Sequence, residues 1–172
     1  METKKGCFVS VMKDRIIEAS IEALKREGLK FSVDTLADRL KISKKTVYKF
    51  FPDKETLALA MYKKYYTDAI NKAKILIGSN TSFSENKLLY LYFDSKTMTS
   101  KDVFNKYKLN DTIDAFTASQ NDNLWAIIVS SFKKSITDEQ TLRIIVDGVF
   151  EKLCNDGLNP ENVINRLVGI LW

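Results

Sequence analysis

The sequence predicts an all-α protein with an N-terminal three-helix helix-turn-helix domain and a C-terminal helical bundle, about nine helices in all. Three observations carry this. Apolar residues recur at three- and four-residue spacing, and no stretch alternates as a strand would. The 172 residues include 2 prolines and 6 glycines, so few points force a helix to end. Caps and breakers fall between the periodic runs rather than inside them.

Ile16, Ile17, Ser20, Ala23 and Leu24 mark a first helix over Lys13 to Glu27, stopped by Gly28. Ser32 caps a short second helix with Leu36, Ala37 and Leu40 on one face. Lys41-Ile42 makes a tight turn, and Ser43 caps a third short helix, Lys44 to Phe50. Pro52-Asp53 breaks the pattern, and Asp53 caps a long helix from Lys54 to about Ile77. Leu57, Ala60, Met61, Lys64, Tyr65 and Ala69 lie near one side of it. Gly78 to Ser82 reads as a loop. Helices then read as Ser84–Thr97, a short one near Ser100–Tyr107, one starting near Asp111, and one from Asn121 to Ser135. The last two run from Asp138 to Asn155, ended by Asp156-Gly157, and from Pro160 to Trp172, with proline at a first-turn position.

Composition removes several classes of function. With 0 histidines, imidazole acid–base catalysis, Ser-His and Cys-His nucleophile pairs and the usual zinc sites are absent. An enzyme is not expected, and neither a cofactor nor a metal is implied. The carboxylate pairs Asp111 with Asp114 and Asp138 with Glu139 read as helix N-terminal charges. Cys7 and Cys154 have no ligand-type spacing and read as reduced thiols. No apolar run approaches the roughly 18 residues of a membrane span. Met1–Val11 carries no signal-peptide pattern, so a cytoplasmic location is expected.

Charge is uneven. Residues 1–66 hold 15 Lys and Arg against 9 Asp and Glu, whereas residues 67–172 hold 12 against 13. The basic half is the candidate polyanion-binding half; the alternative is a solvated basic surface.

Phe31 to Leu57, FSVDTLADRLKISKKTVYKFFPDKETL, concentrates the chemistry. Two short helices joined by a tight turn and backed by a preceding helix form the three-helix version of a helix-turn-helix. A helix that enters a major groove about 12 Å wide must be polar outward and anchored inward. Val47, Phe50 and Phe51 supply the anchor, against Ile16, Leu36, Leu40 and Ile42. Lys44, Lys45, Thr46, Tyr48 and Lys49 supply cations and hydroxyls for phosphates and long donors for base edges. The helix starts capped by Ser32, Ser43 and Asp53 present free N–H groups that suit phosphate oxygens, and Lys54 adds a flanking cation.

Over Lys13 to about Leu57 the sequence resembles the TetR family of repressors. Ile42 to Leu57 is similar to that family's V-S-x-x-T-L-Y-x-Y-F-x-x-K-E-x-L signature, Leu36-Ala37 stands where the family has Ile-Ala, and Gly28 matches the glycine ending helix one. The resemblance implies double-stranded DNA as partner. It assigns phosphate contacts to Ser32, Thr46, Tyr48 and Lys54, and base reading to Lys44, Lys45 and Lys49. Ser32 and Ser43 also read simply as helix caps. Two departures stand out. Lys41 occupies a turn position where the family commonly has glycine, so it should bear roughly 1 kcal/mol of left-handed strain. Lys45 stands where the family often has glycine, which alters the groove contacts.

The resemblance divides the chain into a DNA-binding domain over residues 1–55 and an effector-binding and dimerisation domain over 56–172. It implies a homodimer formed by the last two helices, through Leu142, Ile145, Val149, Leu153, Ile164, Leu167, Val168 and Leu171. The alternative is that these stripes cover the monomer's own core. The dense aromatics of this half read either as core or as the wall of an effector pocket. The pocket reading selects Tyr90, Phe93, Phe104 and Trp125, and makes the small-molecule effector largely apolar. The functional expectation is a DNA-binding regulator, a repressor released by such a ligand; the alternative is a DNA-binding adaptor controlled by a protein partner.

Overall fold

The computed structural model describes residues 2–27, 32–79, 84–99, 111–132 and 138–172, with side chains for all of these except residues 2–9 and 27. Among the described residues there are eight helices and no strands: α1 (Glu2–Glu27), α2 (Val33–Leu40), α3 (Lys44–Phe50), α4 (Lys54–Ser79), α5 (Ser84–Met98), α6 (Asp111–Val129), α7 (Glu139–Asp156) and α8 (Pro160–Leu171). The all-α expectation holds.

Three boundaries differ from the sequence reading. α1 begins at Glu2 rather than Lys13. Residues 2–12 are mostly middling helix formers and include Gly6, but they hold no proline, and a helix already nucleated at Lys13 propagates backward through them at small cost per residue. Gly78 and Ser79, read as loop, complete the last turn of α4. The two helices expected around Asp111 and Asn121 are one, ending at Val129. The division fell within the polar run Ser119 to Asn123, but Ile113, Thr117, Leu124 and Ile128 are all buried at helical spacing, and that burial carries the helix through. The stop at Gly28, the loop at 80–82, the short helix near 100–107 and residues 133–135 lie outside the described residues.

The chain divides into two compact units, one drawn from Met1–Asp68 with Met98–Ser119, the other from Ala69–Thr97 with Gln120–Trp172. The first has two apolar clusters. One joins Ile16, Ile17 and Ala19 of α1 to Val33, Leu36 and Ala37 of α2, Val47 of α3, Phe51 and Leu57. The other packs Leu24 with Met61, Tyr62, Tyr65, Tyr66, Met98 and Ile113, and the Tyr62 hydroxyl donates to the Met98 carbonyl at 2.8 Å. Each fully buried Ile or Leu contributes about 1.5–3 kcal/mol.

In the second unit Leu88, Leu89, Tyr92 and Phe93 of α5, Leu124, Trp125 and Ile128 of α6, Leu142, Val146 and Leu153 of α7 and Ile164, Leu167 and Leu171 of α8 share one core. Its aromatic centre packs Tyr92 against Trp125 with the rings tilted by 49° (5.1 Å) and Trp125 edge-on to Phe132 (5.8 Å). Trp172 meets Phe132 edge-on at 4.2 Å and donates its indole N–H to the Ser131 hydroxyl at 3.2 Å. A partly buried polar node ties three helices: Asp147 accepts from the Tyr92 hydroxyl (2.9 Å) and pairs with Lys96 (2.8 Å), while Arg143 pairs with Asp122 (2.7 Å) and lies 3.8 Å from Asp147. Burial, and then the Asp147 charge, push the Tyr92 hydroxyl far above its ordinary range, so it stays protonated and donates.

Candidate nucleic-acid interface and apolar cleft

The start of α2 is fixed by Ser32, whose backbone is extended (φ −141°) and whose hydroxyl accepts the Thr35 N–H at 3.1 Å. The helix closes at Lys41, which adopts the left-handed conformation (φ 54°, ψ 43°) anticipated for a glycine position. There the Lys41 N–H donates to the Asp38 carbonyl (3.1 Å) and the Ile42 N–H to the Ala37 carbonyl (3.0 Å). This double bond pattern satisfies the last carbonyls and turns the chain sharply into α3.

Ser43 caps α3 by accepting the Thr46 N–H at 3.1 Å. Val47 and the C-cap residue Phe51, each 1% exposed, pin the helix to the core, with Leu40, Ile42, Tyr48 and Phe50 packed around them. Lys13 of α1 lies over the Phe51 ring, 5.7 Å from its centroid. Because one face is pinned, the other is displayed: Lys44, Lys45 and Lys49 are exposed, and Thr46 and Tyr48 are half-buried at its edge. Asp53 then caps α4, accepting the Thr56 N–H at 2.6 Å, and Lys54 is exposed beside it. That backbone bond holds the Asp53 carboxyl below its ordinary range.

Two hydroxyl pairs recur on this surface, Ser32 with Thr35 and Ser43 with Thr46, each at 2.8 Å. Each pair has two hydroxyl protons and uses one internally; the other is left to donate outward, which suits a phosphate oxygen. Ser32 and Ser43 are thus caps whose pairs retain a donor. Lys45, Lys49 and Lys54 have no side-chain partner among the described residues. Lys44 differs: its ammonium lies 2.9 Å from both carboxylate oxygens of Asp34 in α2, and that hydrogen bond raises its pKa. Asp34 was missed by sequence reasoning, because the two residues are ten apart on different helices and no periodicity links them.

In the second unit an open apolar cleft of about 500 Å³ lies between α5 and the α7–α8 turn, lined by Tyr90, Phe93, Asp94, Thr97, Phe150, Leu153, Cys154, Gly157, Leu158 and Pro160. Tyr90 and Phe93 line it as the pocket reading had them. Trp125 does not; it is 1% exposed and belongs to the core, where its ring fills the space between Tyr92 and Phe132. Phe104 lies outside the described residues. Of the residues assigned to a dimer face, Leu142, Leu153, Ile164, Leu167 and Leu171 are buried in the protomer's own core, and Val149 and Val168 pack against it. Ile145 is exposed, and the apolar residues that join it on the outer faces of α7 and α8 are Ile144 and Ile170. No group of metal-ligating side chains and no helix long and apolar enough to cross a membrane occurs among the described residues.

Comparison with known proteins agrees with this geometry. Residues 16–61 match the family of bacterial regulatory proteins described as the tetR family. The whole chain is similar in fold to a TetR transcription regulatory protein from Mycobacterium vanbaalenii, with TM-score 0.64 and 15% identity, covering 96% of this chain and 97% of that one. It is also similar to a TetR/AcrR-family transcriptional regulator from Thermobifida fusca, with TM-score 0.55 and 14% identity, covering 91% and 94%. No curated protein matches the sequence. Residues 16–61 therefore form a helix-turn-helix that matches the tetR family's N-terminal domain, and the chain as a whole has the fold of these two regulators.

Proposed function

We propose that the protein is a homodimeric repressor that binds duplex DNA through α3 and is released from it by a small, largely apolar ligand. The observation that carries the reading is the displayed face of α3: Lys45 and Lys49 stand exposed, with no side-chain partner among the described residues, on a helix that Val47 and Phe51 lock to the core. Pinned helix and free cations together make a rigid probe for a groove, with the hydroxyl pairs and Lys54 on the flanking phosphates.

The exposed Ile144, Ile145 and Ile170 support a two-fold partner on α7 and α8. The apolar cleft supports the ligand: its volume falls in the range of small-molecule sites and its walls are mainly aromatic and aliphatic. The same cleft favours a small molecule over a protein partner as the controlling input. A ligand that binds one dimer geometry better than another shifts the spacing of the two α3 helices away from the groove repeat.

The test is binding to the DNA immediately upstream of the protein's own gene, across a salt series. A dissociation constant that rises steeply with salt is expected. Absence of binding at low salt, or binding indifferent to salt, refutes the reading.

A further inference from the structure

We infer that Asp34 sets how selectively the protein reads DNA, by holding Lys44 away from the phosphate backbone; this rests on the DNA-binding reading above. Asp34 lies in the first turn of α2 and Lys44 is the first residue of α3, so the pair bridges the starts of the two helices that form the interface. The ammonium is shared by both carboxylate oxygens, each at 2.9 Å. Of the exposed lysines Lys44, Lys45, Lys49 and Lys54, Lys44 is the one that pairs with a carboxylate among the described residues.

A lysine free to meet a phosphate adds affinity for every sequence alike, because the backbone carries no sequence information. For a phosphate to take Lys44 it must displace a carboxylate already in place and leave Asp34 unpaired beside a polyanion. The pair therefore stays closed on DNA. Closed, it contributes no counterion release, and it holds Lys44 in one position at the start of the recognition helix. Asp34 is a positioning residue: it lowers the sequence-independent part of binding and leaves discrimination to the groove-facing donors.

The test is a double-mutant cycle on the full chain, using Asp34→Asn, Lys44→Gln and the double variant. Each is titrated against a random-sequence duplex and against a duplex selected from random sequence by the wild-type protein, over a salt series. Asp34→Asn should steepen the logarithmic salt dependence on random duplex by about 0.9, the value for one added phosphate contact. Its affinity for random duplex should rise several-fold, and the ratio of selected to random affinity should fall. Lys44→Gln should reverse the steepening in the Asp34→Asn background and leave the wild-type slope unchanged. Asp34→Glu should retain wild-type selectivity. Both residues are solvent-exposed, so thermal melting should not distinguish the variants.

If Asp34→Asn leaves slope and selectivity unchanged, the role of Asp34 is overturned. The same holds if Lys44→Gln lowers the slope equally in both backgrounds, since the two charges then act independently. Wild-type protein that shows no salt-dependent binding refutes the DNA-binding reading itself, a distinct result.

Discussion

Lys41→Gly should stabilise the DNA-binding unit, and the size of the gain can be worked from the backbone. Lys41 is the non-glycine residue with positive φ among the described residues, at φ 54°. An L-residue in that region costs roughly 1–2 kcal/mol. Glycine removes the cost but returns about 0.4–1 kcal/mol through its greater freedom in the unfolded chain. The net gain is about 0–1.6 kcal/mol, centred near 0.8 kcal/mol. Nothing else is lost, since the Lys41 side chain is exposed and has no partner among the described residues. The second unit holds the mirror experiment. Gly157 ends α7 at φ 62°, and a Cβ built there meets no atom within 4 Å. Gly157→Ala therefore reports the left-handed cost without a steric term, and should lose about 1 kcal/mol. Urea unfolding monitored by circular dichroism measures both, and the fluorescence of Trp125 and Trp172 reports on the second unit alone. Lys41→Ala is the control, because it deletes the charge but keeps the strain. A Lys41→Gly protein no more stable than Lys41→Ala, or a Gly157→Ala protein as stable as wild type, refutes the strain argument.

Three further outcomes are expected. Lys45→Ala and Lys49→Ala should each weaken DNA binding while leaving the unfolding free energy from urea titration within about 0.5 kcal/mol of wild type, as surface changes do; unchanged affinity in both would show that α3 is not the reading helix. Leu36→Ala opens the centre of the small N-terminal core, where Leu36 is wholly buried, and should cost about 2–5 kcal/mol and abolish DNA binding at 37 °C as measured by gel shift. Stability should fall in acid. The folded-state pKa values of Asp53 and Asp138 are depressed below 3.8 by backbone N–H donors from Thr56 and Thr141. Their contribution is present above that value and is lost as pH drops through and below it. A urea midpoint flat above about pH 5 and falling below about pH 4 is expected, with the fall reduced when both residues are changed to asparagine.

The parts of the fold read correctly from sequence are those set by local chemistry. Ser32, Ser43, Asp53, Pro160 and Gly157 announce helix ends because capping and left-handed closure involve residues within a few positions. The inward face of α3 was legible for the same reason, since Val47 and Phe51 stand at helical spacing against an already apolar pair of helices. What failed depended on distant partners. A polar run from Ser119 to Asn123 breaks a helix only if nothing buries its neighbours, and here Thr117, Leu124 and Ile128 are buried. The stripe Leu142, Leu153, Ile164, Leu167 and Leu171 announces burial but not by what; the protomer's own α5 and α6 supply it. The assignment of Trp125 to a pocket failed likewise, because an aromatic residue looks the same whether it walls a cavity or fills one. Asp34 was invisible because a salt bridge between two helices leaves no periodic trace.

The carboxylate of Asp147 is a junction with consequences for movement. It joins two side chains of α5 to α7, and its neighbour Arg143 reaches across to α6. Sliding α5 along α7 would break the Tyr92 and Lys96 contacts together and leave Asp147 with Arg143 of its own helix as the remaining partner. Moving α5 and α7 as one keeps all of these contacts, so motion at fixed register costs less here than sliding.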